Sequence, residues 1–353
     1  MDLKELAMSE IRINLKKISE NYLTLKTYLK AKKISVTPVV KVVAGDSRIV
    51  KIFEENDAET IGDSRIGNIK KFKEAGIKSK FVLLRIPSKS EIDEVVEFSD
   101  YSLNSSIEII SMIDKEAKKR KKQHGIILMI EMGDLREGVN PKKAIKISKK
   151  ISKMNNVYLK GIGSNFSCYG GVIPSDQKMR TLSHLSKSFP NIDWISGGNS
   201  SSISWVRNAK NTYKINHLRL GESIMLGLET LQRKPISKLN LDAFVLTSEV
   251  IEFEEKNSIP DGEIAQNAFG EIPIIKDEGL MYRAILDIGR QDIDSQGLTP
   301  LRKDIKVLGA SSDHLIIKSD SILKIGDKIK FIPNYSTLLR IMTSPYVKKS
   351  YTV

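Results

Sequence analysis

From about residue 10 to 235, short apolar runs alternate with stretches whose apolar residues recur at helical spacing. Strand-like runs stand at Val36–Val43, Thr60–Gly62, Lys80–Arg85, Tyr101–Leu103, Ile126–Glu131, Tyr158–Gly163, Trp194–Gly197 and Leu218–Gly221. Helical patterns lie between them. Leu15, Ile18, Tyr22, Leu25 and Leu29 share one face behind a cap at Asn14, Ile69–Ala75 stops at Gly76, Ile107–Lys122 is a third, and Asn140-Pro141 opens a fourth. Eight strands with intervening helices predict an α/β fold, a TIM-type parallel (β/α)8 barrel over 10–235. An open doubly wound sheet competes, but no G-x-G-x-x-G follows the first strand. Beyond 235 the helical period fades. Ala243–Glu254, Tyr282–Gly289, Lys306–Leu308, Leu315–Lys318 and Lys328–Ile332 read as strands, separated by turns such as Pro260-Asp261-Gly262 and Ile325-Gly326-Asp327. They predict a mainly-β domain over 236–353, which the strand-like N-terminal segment 1–14 is expected to join.

Composition narrows the class. The 353 residues are 40% hydrophobic, enough for a full core. The lone cysteine, Cys168, excludes a disulfide framework and fits a reducing compartment, so a cytoplasmic protein is expected. No apolar run reaches the roughly 20 residues of a membrane helix, and Met1-Asp2-Leu3-Lys4-Glu5 lacks the apolar stretch of a signal peptide. The net charge of +14 raises the question of nucleic acid. Its distribution answers otherwise: Lys142, Lys143, Lys149, Lys150 and Lys153 interleave with Ile145, Ile147 and Ile151, the solvated back of an amphipathic helix. The dense block Lys118–Lys122 falls at a helix end, where cations suit the dipole. Neither a nucleic-acid nor a membrane partner is expected, and no metal.

Chemistry should gather at the C-terminal ends of the barrel strands. Lys41 lies within Val39-Val40-Lys41-Val42-Val43, which reads as a buried strand with apolar residues on both faces. A lysine pressed into a core is desolvated and becomes a nucleophile able to form Schiff bases. The competing reading is an edge-strand lysine whose stem reaches water. Arg136 follows the fifth run, Asn165 and Cys168 the sixth, and the seventh ends in Gly197-Gly198-Asn199-Ser200-Ser201-Ser202. The eighth carries Arg219-Leu220-Gly221-Glu222. Glycines and serines at the seventh and eighth ends read as a phosphate cradle, although Gly-Gly-Asn-Ser in isolation would be an ordinary tight loop. A phosphate site opposite an inward lysine points to pyridoxal phosphate held as a Schiff base.

Several motifs then coincide: V-x-K-V near the start, E-M-G-D-L-R-E-G-V, G-G-N-S-S-S, L-R-x-G-E, I-G-R-Q-D at 288–292 and S-S-D-H at 311–314. On these the chain resembles the fold-type III pyridoxal-phosphate enzymes, the alanine racemase superfamily, and most of all its alanine/ornithine racemase branch. The resemblance implies that Lys41 is the Schiff-base lysine and one of two catalytic bases. It implies that Arg136 contacts the cofactor's phenolic oxygen or the substrate carboxylate. Asn165 stands where many members place a histidine against the ring. Ser200, Gly221 and Glu222 match the phosphate site, and Tyr335 matches a C-terminal tyrosine that reaches the phosphate. Arg219 matches the arginine facing the pyridine nitrogen. Arginine does not give up its proton, so that nitrogen stays neutral and the ring is a weaker electron sink than an aspartate would make it. A short-lived carbanion favours reprotonation, and hence racemisation, over transamination.

Departures from the family pattern set the open questions. The tyrosine four residues after the lysine in alanine racemases is Gly45 here, which would leave room for a longer substrate. Their G-Y-A-D loop, whose tyrosine is the partner's catalytic base, is Gly289-Arg290-Gln291-Asp292. Glu222 puts a carboxylate beside a phosphate and must turn away. The expected activity is two-base racemisation of an amino acid, ornithine or a similar diamino acid first, with alanine or serine as alternatives. A non-catalytic pyridoxal-phosphate-binding homeostasis protein and a decarboxylase are the competing classes. Arg290, Asp292, Ser312 and Asp313 are expected at the substrate, reaching it from the second chain of a head-to-tail homodimer. Arginine cannot be the second base. Cys168 is the first candidate for it and His314 the second.

Overall fold

The structure, a computed structural model, describes residues 9–353. Residues 1–8, which include the stretch read for a signal peptide and the start of the segment 1–14, lie outside the described residues. The chain divides into two compact units, Lys17–Leu241 on the one hand and Asp242–Val353 with residues 9–16 on the other.

Strand β1 (Glu10–Asn14) leads into α1 (Leu15–Lys30). Eight strands follow: β2 (Ser35–Pro38), β3 (Thr60–Asp63), β4 (Lys80–Leu83), β5 (Tyr101–Asn104), β6 (His124–Met129), β7 (Val157–Gly163), β8 (Trp194–Ser196) and β9 (His217–Leu220). Alternating with them are α2 (Ser47–Glu55), α3 (Ile66–Glu74), α4 (Ile92–Phe98), α5 (Ile107–Arg120), α6 (Pro141–Ile151), α7 (Asp176–Ser186), α8 (Ser202–Asn208) and α9 (Glu222–Leu226). The strands pair in parallel in the order β2-β9-β8-β7-β6-β5-β4-β3. A bridge between Val39 and Gly62, just past the end of β2, closes the ring. The predicted (β/α)8 barrel is therefore present.

Local sequence accounts for these elements. Strand β6 is buried at every position, as a parallel strand covered on both faces must be. Asn140 caps α6 by accepting from Lys143 N at 2.9 Å, Pro141 occupies the first turn, and Ala144, Ile147 and Ile151 face the core. The basic block at the end of α5 is partly neutralised, because Lys119 and Arg120 pair with Glu116 and Lys122 with Glu97. Inside the barrel Val82, Tyr101, Leu103, Ile127, Met129 and Trp194 form an apolar cluster. Among the described residues no helix is long and apolar enough to cross a membrane.

The second unit is built from β10 (Phe244–Asn257), β11 (Leu280–Leu286), β12 (Leu298–Pro300), β13 (Ile305–Ala310), β14 (Leu315–Ser319), β15 (Lys328–Pro333), α10 (Tyr335–Thr343) and β16 (Lys348–Thr352). Its sheet runs β12-β15-β10-β11-β14-β13, and β1 pairs antiparallel with β10 and parallel with β16. Strands β12 and β16 escape the sequence pattern, the first being three residues long and the second, K-K-S-Y-T, lacking apolar alternation.

Candidate active site

Lys41 is not in a strand and not buried, contrary to the sequence reading. Strand β2 ends at Pro38; Val39 N then bonds Leu220 O at 2.7 Å and Val40 N bonds Gly62 O at 2.8 Å. The chain next winds into a single 3-10 turn, Lys41–Val43, closed by Ala44 in the left-handed region. A 3-10 turn repeats every third residue. Val39, Val40, Val42 and Val43 can therefore all face inward while Lys41 alone is exposed at the C-terminal rim of the barrel. Gly45 has φ +84°, and a Cβ there would lie 2.7 Å from Asn68 Oδ1. Asn68 thus takes the space expected for a longer substrate.

Asn68 also reaches the carboxylate of Asp63 at the end of β3, at 3.2 and 3.3 Å. Asp63 is fully buried and also accepts from Arg65 N at 2.8 Å. The Lys41 charge favours the ionised forms of both Asp63 and Glu222.

Arg219, on β9, is 3% exposed and has fixed acceptors. Its Nη2 donates to Ser164 O at 2.7 Å and to Asn165 Oδ1 at 2.9 Å, and Nη1 donates to Ser196 Oγ. Burial lowers its pKa to about 10, so it stays charged at neutral pH. Asn165 Nδ2 donates to Glu137 Oε1 at 2.7 Å, and Arg136 Nη2 bonds the same oxygen at 2.9 Å. Arg136, Glu137, Asn165 and Arg219 therefore form one chain of contacts. Beside it Asp134, itself buried, accepts from Cys168 N and Tyr169 N at 3.2 and 3.1 Å. The Cys168 side chain is exposed, with Sγ 3.4 Å from Asn199 Nδ2.

The cradle at the ends of β8 and β9 centres on Ser200, whose Oγ accepts from Gly221 N and Ser223 N, both at 3.2 Å. The Ser223 hydroxyl lies 3.0 Å away. The Glu222 carboxylate pairs with Arg233 Nε at 2.7 Å.

The remaining expected site residues belong to the other unit. Its two motifs meet there. Gly289 packs so closely that a Cβ would lie 2.2 Å from Ser312 O, while Arg290 N and Gln291 N donate to Ser311 O and Ser312 O. Arg290 is engaged by both oxygens of Glu271, at 3.1 and 2.9 Å, and lies 4.1 Å over the Phe269 ring. It lines a cleft of about 840 Å³ with Phe269, Ile272, Ile274 and Met281. Asp292 accepts from Ser344 Oγ at 2.5 Å, whereas Ser312, Asp313 and His314 are exposed. Ser312 Oγ donates to Asp313 Oδ2 at 2.8 Å, and the His314 backbone closes a turn with Ser311. Tyr335 is half-buried at the first position of α10.

Sequence reasoning missed Asp63, Glu137, Ser196 and His217. Glu137 lies inside a quoted motif and His217 two residues before Arg219, so strand alternation alone puts His217 on the arginine's face.

Set beside known proteins, residues 13–229 match the family model for the alanine racemase N-terminal domain. The ornithine racemase of Acetoanaerobium sticklandii is 38% identical over 349 residues, 96% of this chain and 98% of that protein. The lysine racemase of Thermotoga maritima is 38% identical over 346 residues, 96% of this chain and 97% of that one. Among solved structures, the alanine racemase from Bartonella henselae with covalently bound pyridoxal phosphate aligns with a TM-score of 0.74 at 16% identity. That alignment covers 98% of this chain and 100% of the other, and at such identity it speaks for the fold alone.

Asp63 provides a test of the rim's electrostatics. Burial pushes its carboxyl up to about 6, against the hydrogen bonds and the Lys41 charge that favour the anion. An unfolded aspartate titrates near 3.9, so protonation favours the fold. That contribution is full below about pH 4 and is lost as pH rises through about 6. Asp63→Asn removes the titration. In urea melts its stability relative to the parent should improve by about 1–3 kcal/mol between about pH 4 and pH 7. A difference that stays flat over this range would show that Asp63 ionises like an exposed aspartate.

Proposed function

We propose, from the premise that the chain belongs to the alanine racemase family, that it is a pyridoxal-phosphate-dependent racemase of a diamino acid, ornithine first and lysine second. The observation that carries this reading is the buried, charged Arg219 at the end of β9, in the same barrel as an exposed lysine in the turn that follows β2. The residues present fit the cofactor. Lys41 is exposed at the barrel rim, and the Ser200 hydroxyl, held by the amides of Gly221 and Ser223, stands at the strand ends where a phosphate would be received. The Glu222 carboxylate is drawn off onto Arg233 instead of opposing that charge.

Bound through Lys41, pyridoxal phosphate supplies the electron sink that acidifies the α-C–H bond of an amino acid. The protein's own groups do the rest. Arg219 holds a permanent positive charge on fixed acceptors and has no proton to give at neutral pH. Lys41 Nζ moves the α-proton on one face. Cys168 Sγ, whose backbone is fixed on Asp134, moves it on the other, with His314 as the alternative. The functional unit is a homodimer in which Arg290, Asp292, Ser312, Asp313 and His314 of one copy serve the barrel of the other. A single exposed cysteine and this metabolic chemistry fit the cytoplasm.

The function test is direct. Purified protein should absorb visible light, and borohydride should fix the cofactor on the peptide that holds Lys41. Incubation with L-ornithine, L-lysine or L-alanine, followed by chiral chromatography, should yield D-ornithine or D-lysine faster than D-alanine. A diamine product would mark a decarboxylase, and no product a binding protein. A Lys41→Ala variant that keeps both spectrum and activity would sink the assignment of Lys41.

The second base is tested by α-proton exchange. In deuterated solvent Cys168→Ala should slow exchange from one enantiomer by at least about tenfold more than from the other. If both rates stay within a few-fold of the parent, the thiol is not the base and the same measurement passes to His314→Ala.

The shared site is tested by mixing. Lys41→Ala and Asp313→Ala subunits, each inactive alone, should regain activity when exchanged into heterodimers, since one of the two sites is then intact. A fully active monomer in sedimentation would refute the arrangement.

A further inference from the structure

A line of polar side chains crosses the barrel interior from Arg219 towards the first strands. Arg219 Nη1 bonds Ser196 Oγ, and Ser196 Oγ lies 2.8 Å from His217 Nδ1. His217 Nε2 lies 2.8 Å from Thr37 Oγ1, which lies 2.6 Å from Thr60 Oγ1. None of the five is more than 3% exposed, and the His217 ring lies flat on Trp194, with centroids 4.1 Å apart and planes at 3°.

Proton counting gives this line a direction. Arginine has donors and no acceptor, so Ser196 must accept from it. The Ser196 hydroxyl keeps one proton, and its other described partner is His217 Nδ1, so that proton is satisfied in this dry interior only if Nδ1 accepts it. A neutral imidazole that accepts at Nδ1 carries its hydrogen on Nε2 and donates to Thr37. Thr37 in turn has a proton for Thr60. Burial, with the Arg219 charge adding to it, disfavours a charged imidazole at this place.

We propose that His217 is a positioning residue for Arg219: as the neutral Nε2–H tautomer it takes the Ser196 proton, commits the Ser196 oxygen to Arg219 Nη1, and so fixes the plane of the guanidinium. This rests on the reading of the protein as a pyridoxal-phosphate racemase with Arg219 against the cofactor ring. Without His217 the Ser196 hydroxyl can rotate, and Arg219 keeps two anchors on Nη2 but loses the one that sets its tilt. A tilted guanidinium leaves the ring nitrogen free to take a proton from elsewhere. The ring then becomes a stronger electron sink, and the side reaction grows in which amino acid and pyridoxal phosphate become 2-oxo acid and pyridoxamine phosphate.

The test has a spectroscopic arm and a kinetic arm, both on the holoenzyme. In ¹⁵N-labelled protein the His217 ring, identified by its absence from His217→Phe, should show Nε2 protonated and Nδ1 bare from about pH 6 to pH 9. A ring protonated at Nδ1, or at both nitrogens, would overturn the proposal. His217→Phe keeps a ring for Trp194 but neither nitrogen. It should retain the bound cofactor while racemisation falls by roughly 100-fold, and more pyridoxamine phosphate should form per racemisation turnover. His217→Asn, whose Oδ1 can take the Ser196 proton, should recover much of the rate and restore the parent partition. If both variants lose rate equally with the parent's partition, or His217→Phe stays within a few-fold of the parent, His217 only packs and the proposal fails. Failure of the underlying functional reading shows itself separately, in a parent protein without cofactor or racemase activity.

Discussion

A guanidinium sealed from water is tolerable only where fixed oxygens take its N–H groups, because desolvating a charge costs several kcal/mol. Arg219 meets this condition through Ser164, Asn165 and Ser196. The acceptors belong to the ends of β7 and β8 and the arginine to β9, so three adjacent strands must keep register around one charge. The dependency extends outward, since Asn165 can offer its oxygen to Arg219 only while its amide faces Glu137. Glu137 in turn binds Arg136. A cation placed this way is an unchanging part of the barrel.

The barrel was legible because its signals are local. Buried parallel strands read as continuous apolar runs, amphipathic helices carry their own period, and caps such as Asn140 mark their starts. The rim turn was not. Val-Val-Lys-Val-Val satisfies a two-residue period and a three-residue period equally, and only the contacts of Val39 and Val40 with Leu220 and Gly62 decide between them. Those partners are distant in sequence. The reading located Lys41 at the end of the first strand and mistook its surroundings, because burial of the flanking valines does not extend to the residue between them.

The second unit divides the same way. The glycine, arginine and aspartate of 289–292 and the serines of 311–312 are visible as motifs. Their joining is a tertiary fact, set by a backbone approach at Gly289 that no side chain would permit. The grip of Glu271 and Phe269 on Arg290 comes from an irregular stretch between β10 and β11 that has no period to read.

The barrel interior is divided between two kinds of packing. Val82, Leu103, Ile127 and Met129, from β4, β5 and β6, fill one side with apolar volume. The sector of β2, β3, β8 and β9 instead holds Thr37, Thr60, Ser196, His217 and Arg219. Alternation on β9 makes this possible, since His217 and Arg219 share one face while Leu218 and Leu220 share the other. A wholly apolar filling would be as stable or more so, because buried ionic groups rarely repay their desolvation. A polar line is tolerated only while each member has its partner; removing one strands its neighbours in a dry interior. Such a line therefore persists whole or not at all. Its one charged member, Arg219, stands at one end, so the acceptor that the charge demands of Ser196 is the first link, from which the order of the others follows.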